Sequence, residues 1–226
     1  MNKEHKYVDL THKLSPDIPS WDGSCCFNLS INTDYKDCIP PDLFRTQSIN
    51  CTTSIGTHMD APAHVIPGGR TIDQLTLGEL ISECIMIDVS KEADEEYLIM
   101  PYVVEDFEKE HGTIKPGSFV IFYTGWSNNW SNSDKYKNNF KWPSIDPTTA
   151  ELLINRNISG IGTDTFSVDT GKSGFPVHRI ILGADKYLVE NIANVSELPP
   201  TGSKVFVLPM NIKDGTEASI RIIALI

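Results

Sequence analysis

The chain has 226 residues, 40% of them hydrophobic and 22% charged, and carries a net charge of −11 from 19 basic and 30 acidic side chains. This is an ordinary composition for one globular domain spanning residues 1–226, with enough length for a sizeable core. The acidic excess argues against nucleic acid, which needs clustered Lys and Arg, and no run approaches the roughly 20 apolar residues that span a bilayer.

Residues 1–6 lead into a short strand rather than an apolar signal core, so a cytoplasmic location is expected. Short β-rich runs recur at 7–10, 46–54, 85–89, 119–124, 160–163, 187–192, 204–208 and 219–226, and each reads as a buried strand. In the segment Pro19-Ser20-Trp21-Asp22-Gly23, Trp21 is a candidate for a site wall or for core packing. The cysteines Cys25, Cys26, Cys38, Cys51 and Cys84 are odd in number and form no CxxC pair. They argue against a disulfide scaffold and a zinc ribbon, and the adjacent Cys25 and Cys26 read as unremarkable thiols. Glu92, Asp94, Glu95 and Glu96 read as a solvated cluster.

Residues 101–111 read as an amphipathic helix with Val104 and Phe107 inward and Gly112 as its stop. Residues 126–142 hold Trp126, Trp130, Tyr136, Phe140 and Trp142 among Asn, Ser and Lys. They suit either an irregular surface loop anchored to the core, or a pocket wall or subunit contact. Asp146 and Pro147 start a second helix as N-cap and first-turn proline, with Ala150, Leu152, Leu153 and Ile154 on its apolar side. Strands outnumber helices, which gives an α/β or α+β domain.

The densest chemistry lies in Ser54-Ile55-Gly56-Thr57-His58-Met59-Asp60-Ala61-Pro62-Ala63-His64. Imidazoles and a carboxylate hold divalent metals and move protons at neutral pH. If residues 45–60 are extended, Ser54, Gly56, His58 and Asp60 share one face, and Gly56 leaves room there for an ion or ligand. Pro62 ends the ladder, so His64 can return over the site from a turn. The plainer alternative is a polar turn whose histidines are merely hydrogen-bonded. His5, His12 and His111 have no ligand-like neighbours in sequence. No G-x-S-x-G elbow occurs, and Gly160-Ile161-Gly162 lacks the third glycine of a dinucleotide site.

This string resembles the His-x-Gly-Thr-His-x-Asp-x-Pro-x-His signature of the metal-dependent cyclase/hydrolase family, which includes bacterial kynurenine formamidase and isatin hydrolase. The resemblance continues in Val8-Asp9-Leu10-Thr11-His12, in Gly160 to Asp169, and in Leu208-Pro209-Met210-Asn211 with Ala218-Ser219-Ile220-Arg221. It implies the swivelling β/β/α fold, a homodimer or larger homo-oligomer, and a role for the His12 region near the pocket. It also implies that His58 and Asp60 help to hold one divalent ion, and that Asp60, His178 and Glu190 hold a second, with Asp60 and Glu190 bridging. Zinc is the first expectation, with manganese an alternative. Ser54 stands where the family has its first histidine, and it removes a nitrogen ligand from one position.

An ion with an open coordination position lowers the pKa of its water to about 7 and polarises a carbonyl. The expected activity is therefore hydrolysis of an amide, lactam, lactone or arylformamide in a small molecule, with His64 as proton shuttle. His64 could instead be a further ligand or a supporting hydrogen-bond partner. A non-catalytic metal- or ligand-binding protein of the same fold is the alternative that Ser54 keeps open.

Overall fold

The computed structural model describes residues 6–22 and 27–226. The expectations for His5, Gly23, Cys25, Cys26 and the N-terminal leader fall outside the described residues. Among the described residues there are twelve strands: β1 (Tyr7–Asp9), β2 (Asn28–Thr33), β3 (Thr46–Asn50), β4 (His58–Asp60), β5 (Ile81–Asp88), β6 (Leu98–Ile99), β7 (Phe119–Tyr123), β8 (Ser144–Ile145), β9 (Gly160–Thr163), β10 (Tyr187–Glu190), β11 (Ser203–Pro209) and β12 (Glu217–Leu225). The helices are α1 (Leu77–Leu80), α2 (Pro101–His111), α3 (Ser133–Lys137), α4 (Pro147–Asn155) and α5 (Pro176–Gly183).

The main sheet runs β1-β12-β11-β5-β7-β9-β10-β4, and a further β12–β4 pairing closes seven of these strands into a barrel-like ring. β12 makes closure possible because different parts of one edge serve different partners. Residues 223–225 pair with β1, while Glu217, Ala218 and Ser219 pair with β4. The stretch β5-β7-β9-β10 is parallel. Parallel neighbours need crossover connections, and α2, α4 and α5 lie in those crossovers. This is the mixed α/β architecture that the family resemblance implied.

Period-2 alternation sorts the side chains into two cores. Met59, Met86, Phe119, Ile121, Val189, Val205, Val207 and Ile222 fill the barrel. Ile87, Val120, Phe122, Ile161 and Leu188 point the other way and pack against Val104, Leu153, Val177 and Ile181 of the helices. β9 turns Gly160 and Gly162 inward, where a Cβ on Gly162 would lie 2.5 Å from Ile192 Cδ1 and 3.0 Å from Phe119. The glycines leave room for the stacked Phe119 and Tyr187 rings, 5.4 Å apart.

Both expected helices form. Asp146 accepts the backbone N–H of Thr148 as N-cap, and Gly112 ends α2 at φ +90°. The expected strand across 46–54 is shorter and lies elsewhere. β3 ends at Asn50 and pairs only with β2, in a two-stranded ribbon outside the barrel. The residues between β3 and β4 form turns rather than one continuous extended segment.

Candidate functional site

β4 is three residues long and lies between β10 and β12. Its register sets His58 opposite Glu190 and Ser219, and Asp60 opposite Glu217. Directly opposed residues share a face. The face carrying His58, Asp60, Glu190 and Glu217 is thus the outer wall of the barrel, away from Met59. The first turn of α5 supplies His178 from above. Asp169 shapes that turn: its carboxylate accepts the backbone N–H groups of Val177 and His178 at 3.1 and 3.0 Å.

Four side chains converge. His58 Nε2 lies 3.5 Å from Asp60 Oδ1 and 3.4 Å from Glu190 Oε2. His178 Nε2 lies 3.5 Å from Asp60 Oδ2 and 3.4 Å from Glu190 Oε1. Each carboxylate thus offers one oxygen to each imidazole. Both imidazoles are oriented from behind. His58 Nδ1 is 2.9 Å from the Gly56 carbonyl, and His178 Nδ1 is 2.8 Å from Asp169 Oδ2. Acceptors there make Nδ1 the protonated nitrogen of a neutral ring and turn the Nε2 lone pair toward the carboxylates. All four side chains are buried, and Asp60 Oδ1 has no hydrogen-bond partner among the described residues.

Gly56 does not serve as the space-making residue expected from an extended segment. It turns the chain at φ +66°, and a Cβ there would come within 2.6 Å of Leu14 Cδ2. Its carbonyl, which also accepts from Asn191 Nδ2, is what reaches the site.

His64 sits on a single helical turn, Pro62–His64, directly after β4. Its Nδ1 lies 3.5 Å from Glu217 Oε2, and its ring centre is 6.1 Å from that of His178. The contact with Glu217 and the negative charge of Asp60 raise the His64 pKa against the opposing effect of burial. Burial works against charge on His178 too, but hydrogen bonds to Asp169, Asp60 and Glu190 outweigh it and lift its pKa well above the ordinary value. For Asp60, burial is outweighed by the neighbouring imidazoles, and its pKa falls. Two overlapping groups have ligand atoms within 4.8 Å of one another: His58, Asp60 and Glu190, and Asp60, His64 and His178.

The cluster floors a cavity of about 270 Å³ whose walls include Trp21, Ser54, Phe166, Ser167 and Phe175. Trp21 packs edge-on to Phe166 and Trp142 at 5.6 and 5.9 Å between ring centres. Of its two expected roles, the site wall is the one the structure gives it. The 126–142 segment forms the layer behind. Tyr136 and Trp142 are buried with Phe166, and Trp126, Trp130 and Phe140 pack against them. The anchored-loop reading therefore describes these rings better than subunit contact, since Trp142 is fully enclosed within its own chain.

The structure brings His58, Asp60, His64, His178 and Glu190 to one cavity. Ser54 lines the same cavity from a turn, while Cys51 packs beside Ile18, Phe27 and Ile55. His12 is not a wall of this cavity; it stacks on Trp130 at 3.9 Å. Sequence reasoning did not single out Asp169, Glu217 or Phe175. Asp169 closes the Gly160–Asp169 block, and a helix-capping carboxylate ahead of Pro176 was the available signal.

A family model described as a putative cyclase matches residues 8–170. Isatin hydrolase of Roseibium aggregatum is 32% identical over 187 residues, covering 76% of this chain and 71% of that protein. Kynurenine formamidase of Erythrobacter litoralis is 25% identical over 213 residues, covering 94% and 90%. The solved structure of isatin hydrolase A from Labrenzia aggregata bound to benzyl benzoate superposes with a TM-score of 0.87 at 30% identity, covering 98% of this chain and 94% of that one.

Proposed function

The chain belongs to the putative cyclase family, and from that premise we propose that it is a metal-dependent hydrolase that opens an amide, lactam, lactone or arylformamide bond in a small aromatic molecule. His58, Asp60, His178 and Glu190 are the proposed ligands and His64 the proton carrier.

The observation that carries this reading is the shared square of two Nε2 atoms and two carboxylates, with separations of 3.4–3.5 Å. Two imidazole nitrogens and two buried carboxylates so placed would hold a divalent ion. The orphaned Asp60 Oδ1 fits the same picture, since a buried carboxylate oxygen without a partner is costly. When bound, a divalent ion supplies Lewis acidity to a water and to a carbonyl. The rest falls to the chain. His64 takes a proton from the water and returns it to the leaving nitrogen or oxygen. Trp21, Phe166 and Phe175 offer faces and edges to a flat ring and hold its carbonyl over the cluster.

Zinc is the proposed ion, with manganese the alternative. Ser54 supports one tight ion and at most one weak one. Its hydroxyl is a poor replacement for an imidazole, so the position nearest His58 has fewer strong donors. Ser54 also supports the second reading, a binding protein that retains the fold without turnover.

The test is elemental analysis of protein purified without chelator, Zn²⁺ and Mn²⁺ titration, and hydrolysis of isatin, formylkynurenine and small lactones. One tight ion and turnover of at least one compound are expected. Bound metal without turnover of any of them would favour the binding protein, and no metal uptake would end both readings. His64→Ala should keep the ion and lower turnover about 10²–10⁴-fold; loss of the ion as well would make His64 a ligand.

The proposal extends to assembly and location. The β2–β3 ribbon leaves Leu29, Ile31 and Ile49 exposed, with Ile39 and Leu43 between its strands. This surface suits a second copy of the chain better than water does, and it supports a homodimer, expected as a dimer mass in light scattering. We place the protein in the cytoplasm; no helix among the described residues is long and apolar enough to cross a membrane.

A further inference from the structure

We propose that Glu217 is a positioning residue that holds His64 through Nδ1 and leaves Nε2 of that ring for the reacting atoms. The inference rests on the reading of His64 as proton carrier and deepens it. It starts from a regularity of the site. Each of its three imidazoles has an acceptor near Nδ1: the Gly56 carbonyl for His58, Asp169 for His178, and Glu217 for His64. The first two partners fix the rings of proposed ion ligands. Glu217 stands in the same relation to the third ring, but it belongs to neither of the groups whose ligand atoms lie within 4.8 Å of one another.

Glu217 is built into this position by the fold. It is the first residue of β12, and strand register sets it opposite Asp60. The Thr216 carbonyl accepts the Ala61 N–H at 2.9 Å, tying the start of β12 to the segment that leads into His64. Thr53 Oγ1 donates to Glu217 Oε2 at 3.4 Å, so the oxygen that faces His64 is also held from a second side. The carboxylate is mostly buried, with 17% of its side chain exposed, while the His64 side chain is 32% exposed. The pair thus joins a rigid strand residue to a ring on a single helical turn. A ring in that place has rotamers and a second tautomer available to it. A fixed acceptor at Nδ1 selects one orientation and one tautomer, with the Nε2 lone pair free to accept a proton.

Glu217→Ala and the near-isosteric Glu217→Gln test this in zinc-loaded protein. The first readout does not use activity. Long-range ¹H–¹⁵N spectra of the histidine rings report which nitrogen of His64 carries the proton. Nδ1–H is expected in the wild type, and a shift toward Nε2–H in Glu217→Ala. Wild-type protein with His64 in the Nε2–H form would overturn the proposal. The second readout is a double-mutant cycle. Glu217→Ala should lower kcat about 10–10²-fold, part of the usual acid–base contribution, with KM and zinc affinity changed less than about twofold. The same substitution in a His64→Ala background should cost nothing further, because residues acting through one another are non-additive. An equal loss in both backgrounds, or a fall in zinc affinity, would overturn the proposal and make Glu217 a ligand or a structural residue. If His64→Ala hydrolyses at the wild-type rate, the proton-carrier reading fails, and the ring spectra still report separately on the pairing.

Discussion

Met59 and Val189 point into the barrel, and their immediate neighbours His58, Asp60 and Glu190 point out of it. Burial does not distinguish the two sides: Met59 is 0% exposed, Asp60 2% and Glu190 5%. What differs is the supply of partners. Inside, each apolar side chain meets apolar side chains, and stability follows from area removed from water and from close packing. Outside, two buried carboxylates face two imidazoles. A buried carboxylate is tolerated only when paired. A three-residue strand thus carries a contribution to stability on one face and a liability on the other, and the liability is where the chemistry lies.

The strongest way to break this contrast is to exchange neighbours. Asp60→Ala is expected to abolish ion uptake and reduce hydrolysis to background, since it removes the carboxylate shared by both imidazoles. Met59→Ala should retain ion stoichiometry while costing about 2–5 kcal/mol of stability, the usual range for a large-to-small change in a packed core. Elemental analysis and denaturant melts measure the two effects. If folded Met59→Ala protein loses its ion, the faces are not separable.

Asp169 sharpens the contrast at the next level, because it both caps α5 and orients His178. Asp169→Asn keeps one oxygen, which can serve one of the two backbone N–H groups that the separate carboxylate oxygens accept, and removes the charge behind the imidazole. Zinc affinity should fall about 10–100-fold, as it does when the orienting partner of a metal-binding imidazole is lost, with only a small change in melting temperature. A large loss of thermal stability at unchanged zinc affinity would assign Asp169 to the cap alone.

The sequence made the barrel strands legible because most are apolar runs of four to eight residues, as at 85–89 and 204–208, where burial on both faces leaves little polar interruption. It misled at 46–54, where a β-rich run suggested one buried strand, and at 45–60, where an extended segment was supposed to put Ser54, Gly56, His58 and Asp60 on one face. Gly56 supplies the reason: a positive-φ turn there separates an exposed ribbon from a buried three-residue strand. α5 was missed because its apolar run, Ile180-Ile181-Leu182, is too short to show a period. The proposed ligand set from His58 to Glu190 was suggested only through resemblance, since His178 and Glu190 carry no local pattern that joins them to β4. Glu217 was invisible for a similar reason. Only the register of β12 against β4 reveals that it faces His64.

The smallest expected effect concerns a histidine outside the site. His12 and His178 are both largely buried, yet their pKa values move in opposite directions. His178 has carboxylate partners and moves up. His12 lies flat on Trp130, its Nε2 has no partner among the described residues, and burial lowers its pKa to about 4. The sign of the stability effect follows from proton counting. Between about pH 6.5 and 4 the unfolded chain binds a proton at this residue and the folded chain does not. Stability is therefore lost as pH falls through that window, whereas a raised imidazole such as His178 contributes most at low pH and less as pH rises. His12→Phe keeps a flat ring against Trp130 and removes the titration. The variant should lose less stability than the wild type between pH 7 and pH 5, by about 1–2 kcal/mol at 1.36 kcal/mol per pKa unit. Chemical denaturation of ion-free protein at the two pH values measures the difference. Equal pH dependence in both proteins would show that His12 is solvated in the native state, and the opposition between the two buried histidines would disappear.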